Sequence, residues 1–405
     1  MLFNSLIFVT QLSFCNEKNI KNMKMRKIFL LALLIPALCS FGQNRKGDGM
    51  IYLDENRRPQ FRENLMIPDV NGYKVLKCDF HMHTLFSDGR VWPTIRNQEV
   101  WEEGLDAYAI TDHIEYSPFK EDVRIDHNRG HELLKDVAEK QNLILVKGSE
   151  ITRQTPPGHF NAIFIDDASG FIADRATNEF DRDAIMKAAE QDAFIFWNHP
   201  GWKPNIEGSY EWIDFIEDLH AHKALHGIEV VNGFGIHLKA LDWCIDKGLT
   251  VMGSSDIHNL VAHEYDLDNR HVHRTMTLVL SKERTRQSLR EALDAGRTVA
   301  WASKYLLGKE EHVRSLFEAA VKIAPSHYTE GKAKGKATRY YQITNNSDLY
   351  FELELREGNG TGRVILYPRS SQLISAADGT ASLSYEVVTT YIRSDRHLTI
   401  DFDLN

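Results

Sequence analysis

Six histidines, two aspartates and one glutamate stand at the ends of short apolar runs in this chain. The first run closes on His81-Met82-His83 and is followed by Ser87-Asp88-Gly89. Residues i and i+2 of a strand share a face, so His81 and His83 converge. Gly89 favours the turn that brings Asp88 back. Thr111-Asp112-His113 ends the second run, and Gly148-Ser149-Glu150 ends the third, after which a Pro156-Pro157-Gly158 turn delivers His159. The fourth run ends in Asn198-His199-Pro200 and the sixth in Ser255-Asp256-Ile257-His258. Imidazole and carboxylate without thiolate suit zinc, manganese or iron rather than a structural cysteine site. Nine such groups exceed the needs of one ion and suffice for two or three divalent ions. One His-x-His alone is ordinary core or surface chemistry. Ligand-type residues at five of seven run ends are not, because buried imidazoles and carboxylates without a counter-charge are costly.

The runs that must position these groups read as strands: Lys74–Phe80, Ala107–Thr111, Leu143–Gly148, Ala193–Trp197, Gly227–Val231, Leu249–Gly253 and Thr275–Leu280. Amphipathic stretches lie between them: Pro93–Gly104, Arg129–Gln141, Asp181–Gln191, Tyr210–Leu225, His237–Lys247 and Lys282–Ala295. Alternating strand and helix predicts a parallel sheet with right-handed crossovers. Seven such strands fit a closed or nearly closed α/β barrel better than a small open sheet, and in such barrels functional side chains gather at the C-terminal strand ends. Beyond Lys309 the pattern changes. Glu310–Ile323 reads as one helix and Gly331–Lys336 as a linker. Short alternating runs from Thr338 onward then predict a small all-β sandwich-like domain. The expected organisation is an upstream segment and leader (1–42), an N-terminal extension (43–74), the barrel (75–309), a helix and linker (310–337) and the β domain (338–405).

The ordered motifs HMH, SDG, TDH, GSE, GHF, NHP and SDIH resemble the PHP (polymerase and histidinol phosphatase) superfamily over roughly residues 75–305. That resemblance implies a distorted seven-stranded barrel with a tri-metal site. It implies that His81, His83, Glu150 and Asp256 hold one ion. Glu150 bridges to a second ion, also held by His159 and His199, and Asp88, His113 and His258 hold a third. Some members carry His where this chain has Asp88. The leader and the C-terminal β domain resemble secreted members from Bacteroidetes-type bacteria.

Two ions about 3.5–4 Å apart share a water and lower its pKa toward about 7. Such a hydroxide attacks phosphorus or an acyl carbon, and further positive charge suits the phosphoryl transition state. The expected activity is therefore phosphomonoester or phosphodiester hydrolysis, with Glu150 bridging and Asp256 accepting the water's proton. Arg274, just before the last strand, is a candidate phosphate clamp through its bidentate fork. The alternatives are a carboxylic or carbamate ester hydrolase with the same metals, and a non-catalytic metal-dependent binding module. Asn232 and His237 are candidates for the pocket wall. Trp197 and Trp202 bracket His199 and read as packing residues. His222 and His226 read as groups near a helix C-terminus.

The bulk composition is that of a globular chain: 42% hydrophobic and 26% charged over 405 residues. A net charge of -9 offers no basic excess for nucleic acid, so the expected partner is a small phosphorylated or ester substrate. Lys24, Arg26 and Lys27, then the apolar run Ile28 to Leu38, then Ser40 and Gly42 read as a secretory leader cleaved after Gly42. The run is too short to span a bilayer. Export to a periplasmic or extracellular compartment is the expectation. Cys78 and Cys244, the two of four cysteines beyond the leader, are expected to be buried free thiols.

Overall fold

The structure is a computed structural model and describes residues 53–57, 59–171, 178–269, 272–326, 328–331 and 337–404. The leader expected at 23–42 and most of the linker expected at 331–336 lie outside the described residues. Two units are distinguished, 1–59 and 60–405. The described part of the first holds one 3-10 turn, Asp54–Asn56, closed by the Asn56 amide donating to the Leu53 carbonyl at 2.9 Å. The account below concerns the second.

All seven expected strands are present. They are β1 (Lys74–Asp79), β2 (Ala107–Ile110), β3 (Ile144–Ile151), β5 (Phe194–Trp197), β6 (Gly227–Asn232), β8 (Thr250–Ser254) and β9 (Met276–Ser281). Four more join them: β4 (Phe160–Ile163), β7 (Gly235–Ile236), β10 (Thr298–Ala302) and β11 (Tyr305–Gly308). The all-parallel expectation is corrected. Strands β1, β2 and β3 are parallel, as are β5, β6 and β8. Between the two sets β4 runs antiparallel to both β3 and β5. On the other side β9 is antiparallel to β1 and β10 to β9. For β3 and β4 the reason is connection length: the turn through Pro156–Gly158 is too short for a crossover helix, so the chain returns as a hairpin.

The sheet curls until β8 meets β9 and β10 through side chains. The Gly253 amide donates to Thr277 Oγ1 at 2.9 Å, Thr277 Oγ1 donates to the Gly253 carbonyl at 2.7 Å, and Thr298 Oγ1 donates to the Val251 carbonyl at 2.7 Å. A Cβ on Gly253 would lie 2.8 Å from Ala300 Cβ, so glycine permits this approach. Alternation along β1 sends Leu76, Cys78 and Phe80 into a core with Ala107, Ala109, Val146, Phe194, Phe196, Met252 and Val279. Cys78 and Cys244 are buried free thiols, as expected.

Helices cover the outside: α1 (Pro93–Glu102), α2 (Arg129–Lys140), α3 (Asn178–Glu190), α4 (Asp214–Ala221), α5 (Leu238–Lys247), the short α6 (Val261–Glu264), α7 (Arg286–Asp294) and α8 (Glu310–Ala320). Local signals explain several ends. Pro93 opens α1. Thr285 Oγ1 accepts the Ser288 amide at the start of α7. Gly248 closes α5 in the left-handed region at φ 71°. Helix α8 buries Val313, Leu316, Phe317 and Ala320, one face of a 3.6-residue period.

The C-terminal β region starts earlier than its sequence pattern suggests. Val321–Ile323 (β12) and Tyr328–Glu330 (β13) pair with β14 (Thr338–Asn345), which also pairs with β17 (Ser370–Ala377). The other layer is β15 (Phe351–Glu357), β16 (Arg363–Leu366), β18 (Ser382–Arg393) and β19 (Arg396–Asp403). It continues the larger sheet, because β18 pairs in parallel with β11 at Leu306↔Thr390 and Leu307↔Tyr391. One apolar core runs from Leu278, Val299 and Trp301 through Phe317 to Phe351, Leu353 and Phe402. Among the described residues no helix is long and apolar enough to cross a membrane.

Candidate metal centre

The chain just past β1 is strapped to the chain just past β8. The Asp256 amide donates to the His81 carbonyl at 2.9 Å and the His83 amide donates to the Ile257 carbonyl at 3.1 Å. Buried Arg96 donates to the His83 and Ile257 carbonyls at 3.0 and 3.2 Å. Beneath the strap, Asp79 Oδ1 accepts the Ser255 amide at 3.1 Å and Asp79 Oδ2 accepts the Ser255 hydroxyl at 2.5 Å. The Ser87–Gly89 turn is held by buried Asp112, which accepts the Thr84 amide and the Ser87 hydroxyl at 2.7 Å each and the Thr84 hydroxyl at 2.6 Å. Gly89 presses against the same strand: a Cβ there would lie 2.4 Å from the His83 carbonyl carbon. Asp256 and His199 sit at φ 52° and 29°. Strain of this kind persists only where surrounding bonds impose it and gathers at functional sites.

All nine candidate ligands converge. His81 Nε2 and His83 Nε2 are 3.1 Å apart. Glu150 Oε2 lies 3.3 Å from both, and Asp256 Oδ1 lies 3.1 and 3.0 Å from them. Glu150 reaches further: His113 Nδ1 is 3.0 Å from Oε2, while His159 Nδ1 and His199 Nε2 are 3.0 and 3.7 Å from Oε1. Asp88 gathers His258 Nε2 at 3.3 Å, His113 Nε2 at 3.5 Å and His83 Nδ1 at 3.6 Å. Four sets of three or four donors overlap: His83, Asp88, His113, His258; His81, His83, Asp256; His81, Glu150, His199; and His113, Glu150, His159. Ligands shared between sets are what adjacent ions need.

The electrostatics suit cations. Burial opposes the charge on Glu150, yet His113, His81 and His159 hold its carboxyl well below the usual range. Burial also opposes the charge on Asp256, but His81 and His83 keep it low. Burial, with His258 and His113 close by, pushes His83 down to about 3, leaving a neutral imidazole with a free lone pair. The donor set therefore fits divalent cations, and the arrangement fits a metal-dependent hydrolase.

A crystal structure from Bacteroides vulgatus, described as a two-domain protein containing a predicted PHP-like metal-dependent phosphoesterase, superposes with a TM-score of 0.79 at 39% identity. The match covers 86% of this chain and 100% of that one. The chain is a PHP-like family member. A family model for an Ig-like domain matches residues 321–403 of this PHP-like protein. Two weaker likenesses carry no argument. One is an amidohydrolase from Chromobacterium violaceum (17% identity, TM-score 0.34, 46% of this chain and 88% of that one). The other is a putative metal-dependent phosphoesterase from Bifidobacterium adolescentis (18%, 0.37, 54% and 96%). No curated protein matches.

Arg274 corrects the expectation of a phosphate clamp. The PHP-like chain buries it completely: Nη2 and Nε donate to Glu103 at 2.6 and 2.9 Å, and Nη1 reaches Asp79 Oδ2 at 3.3 Å. A guanidinium so engaged supports the Asp79–Ser255 floor and has no fork left for substrate. Trp197 is packed in the core as expected, whereas Trp202 is 53% exposed and lies against His159 and His199. His237 is half-buried against Tyr210, and burial lowers it to about 4. His222 and His226 serve backbone: His222 meets the Asp218 carbonyl, and His226 Nδ1 accepts the Ile195 amide.

Sequence reasoning missed the groups behind the ligands. Buried Glu229 accepts from His81 Nδ1 at 2.8 Å and from the His199 amide at 2.9 Å, fixing one ligand's tautomer and another's backbone. Asn232 Nδ2 bonds Glu229 at 2.9 Å and Asp256 Oδ2 at 3.2 Å, so this pocket-wall candidate acts on a ligand. Asn198 Nδ2 donates to Glu150 Oε1 at 2.8 Å, and the Thr152 hydroxyl meets His113 Nδ1 at 2.6 Å. One signal was available for Glu229: an acid inside the apolar run Gly227–Asn232 needs a reason to be buried.

Proposed function

We propose that this PHP-like protein hydrolyses phosphate esters, monoesters or diesters, with two or three divalent ions (zinc, manganese or iron) held by the nine-residue cluster. The observation that carries the reading is that the carboxylates of Glu150 and Asp256 each lie within 3.3 Å of both the His81 and the His83 Nε2 atoms. Those four would hold one ion; Glu150, His159 and His199 a second; Asp88, His113 and His258 a third. When bound, such ions supply Lewis acidity, activating water and neutralising charge on phosphoryl oxygens. The chain's own share is orientation and charge. Glu229 and Asn232 fix His81, His199 and Asp256, while Asn198 and Thr152 fix Glu150 and His113. Asp256, with 19% side-chain exposure, is the carboxylate placed to take the proton of the attacking water. The basic and apolar leader supports an exported protein, which cell fractionation tests.

The second reading, hydrolysis of carboxylic or carbamate esters, gains from Arg274 being withdrawn from the site. Aryl phosphates and aryl esters assayed side by side on metal-loaded protein separate the two. Glu150→Gln removes the charge shared between two sets of imidazoles. It is expected to lose most of its bound metal by elemental analysis and its hydrolysis with it. Wild-type metal content and turnover in that variant would end the metal reading, and full occupancy with no turnover on any ester would leave a binding module.

A further inference from the structure

Half of the large apolar side chains exposed among the described residues stand on the loops that follow β1, β2, β5, β6 and β8: Trp92, Tyr116, Trp202, Ile206, Phe234, Leu260 and Leu267, against seven elsewhere. Two are in ring contact with ligands. Trp202 is 53% exposed, and its ring centroid lies 5.5 Å from His159 and 5.4 Å from His199. Tyr116 is 47% exposed and stands edge-on to His113 at 6.0 Å. His113 and His159 are themselves perpendicular neighbours at 5.6 Å, so each exposed ring contacts one member of that pair. Neither ring is anchored in an apolar core. Leaving that much aromatic surface in water forgoes burial free energy, and a rim of exposed aromatics around polar groups is a binding surface. Lys203 belongs to the same rim. Its ammonium lies 4.2 Å above the Trp202 ring and pairs with no carboxylate of a described residue.

We propose that this site selects phosphomonoesters whose alcohol carries a ring, with the ring stacked against the exposed indole of Trp202. The proposal rests on the phosphoesterase reading and deepens it by naming the substrate class. Flat or apolar-faced rings stack on indole, whereas short alkyl groups present little area to it. Trp202 is thus a specificity-determining residue for the alcohol, distinct from the ligands that hold the ions.

The test uses the full chain loaded with manganese or zinc. Benzyl phosphate is compared with ethyl phosphate for hydrolysis, two esters whose leaving alcohols are close in acidity. Benzylphosphonate is compared with ethylphosphonate for binding by calorimetry. Wild-type protein is expected to favour the benzyl member of each pair by at least tenfold. Trp202→Ala is expected to reduce that ratio by about tenfold, equivalent to about 1.4 kcal/mol, chiefly through KM and with metal content unchanged by elemental analysis. Trp202→Phe is expected to restore most of it. Equal losses on benzyl and ethyl members, or no loss on either, overturn ring selection. Hydrolysis of both phosphates without preference overturns ring selection and leaves the phosphoesterase reading standing. Ring-selective, Trp202-dependent phosphonate binding with no phosphate hydrolysis upholds the ring site and ends the phosphoesterase reading. Binding of neither phosphonate ends both.

Discussion

Replacing Arg274 by methionine should reveal a structural keystone rather than a substrate contact. Its guanidinium has zero exposure and faces two carboxylates, Asp79 at 3.3 Å and Glu103 at 2.6 Å. Methionine keeps much of the volume and strands both acids in the interior. Removing one partner of a buried ion pair costs about 3–5 kcal/mol, because the remaining charge is left uncompensated. Loss of that size is expected in the unfolding free energy from urea titration near pH 8. The penalty should also depend on pH with a definite sign. Burial already raises the carboxyls of Asp79 and Glu103, and Arg274 is what pulls them down, so its removal raises them further. Groups whose folded pKa lies above the unfolded value of about 4 favour the folded state when protonated. The difference between variant and wild type should therefore be smallest near that value and widen as pH rises through the raised folded values. Glu103→Gln in the same chain should recover part of the loss, since one stranded charge is then gone. A variant with the wild-type urea midpoint and a selective rise in KM for phosphate esters would refute this reasoning and return Arg274 to the role of clamp.

Three further outcomes follow from particular contacts. Glu229→Gln keeps the shape beside His81 Nδ1 but removes the charge; metal affinity by calorimetric titration should fall about 10–100-fold, and an unchanged affinity would show that Glu229 only fills space. Gly89→Ala places a methyl 2.4 Å from the His83 carbonyl carbon, so the Asp88 turn must shift; bound metal per chain should drop, and full stoichiometry would show that the turn gives way cheaply. A chain ending at Ala324 removes β18 from β11 and Phe351 and Phe402 from Phe317; it should be insoluble, and a soluble metal-loaded product would show that the Ig-like region is ancillary.

The strands that carry ligands were legible because each is a short apolar run ending in polar groups. Strand β4 was not. Phe160-Asn161-Ala162-Ile163 is four residues with Asn161 at its centre, and Asn161 is buried by bonding the Asn198 side chain and the Phe80 carbonyl rather than by being apolar. Strand direction was misread for the same reason, since without β4 nothing in the pattern required a hairpin. The nine candidate ligands that the structure brings together were legible from residue type and place, but the groups bonded to them were not. Glu229 is a single acid inside an apolar strand, and Asp79 is the last residue of another. Arg274 was misassigned because charge at a strand start does not reveal which side its partners lie on. The early start of the Ig-like region was hidden because α8 passes into β12 at Ala320–Val321 with no Gly or Pro to mark the change.

The parallel pairing of Leu306 and Leu307 with Thr390 and Tyr391 has a consequence for how the molecule is made. A growing polypeptide emerges amino end first, so every ligand leaves the ribosome well before residue 390. Until then β11 offers the cell an unsatisfied strand edge, the kind of surface on which chains stick to one another. The last-made residues therefore act as an intramolecular cap, and nonsense or frameshift lesions far downstream of the candidate ligands should be read as lesions of the half that carries them.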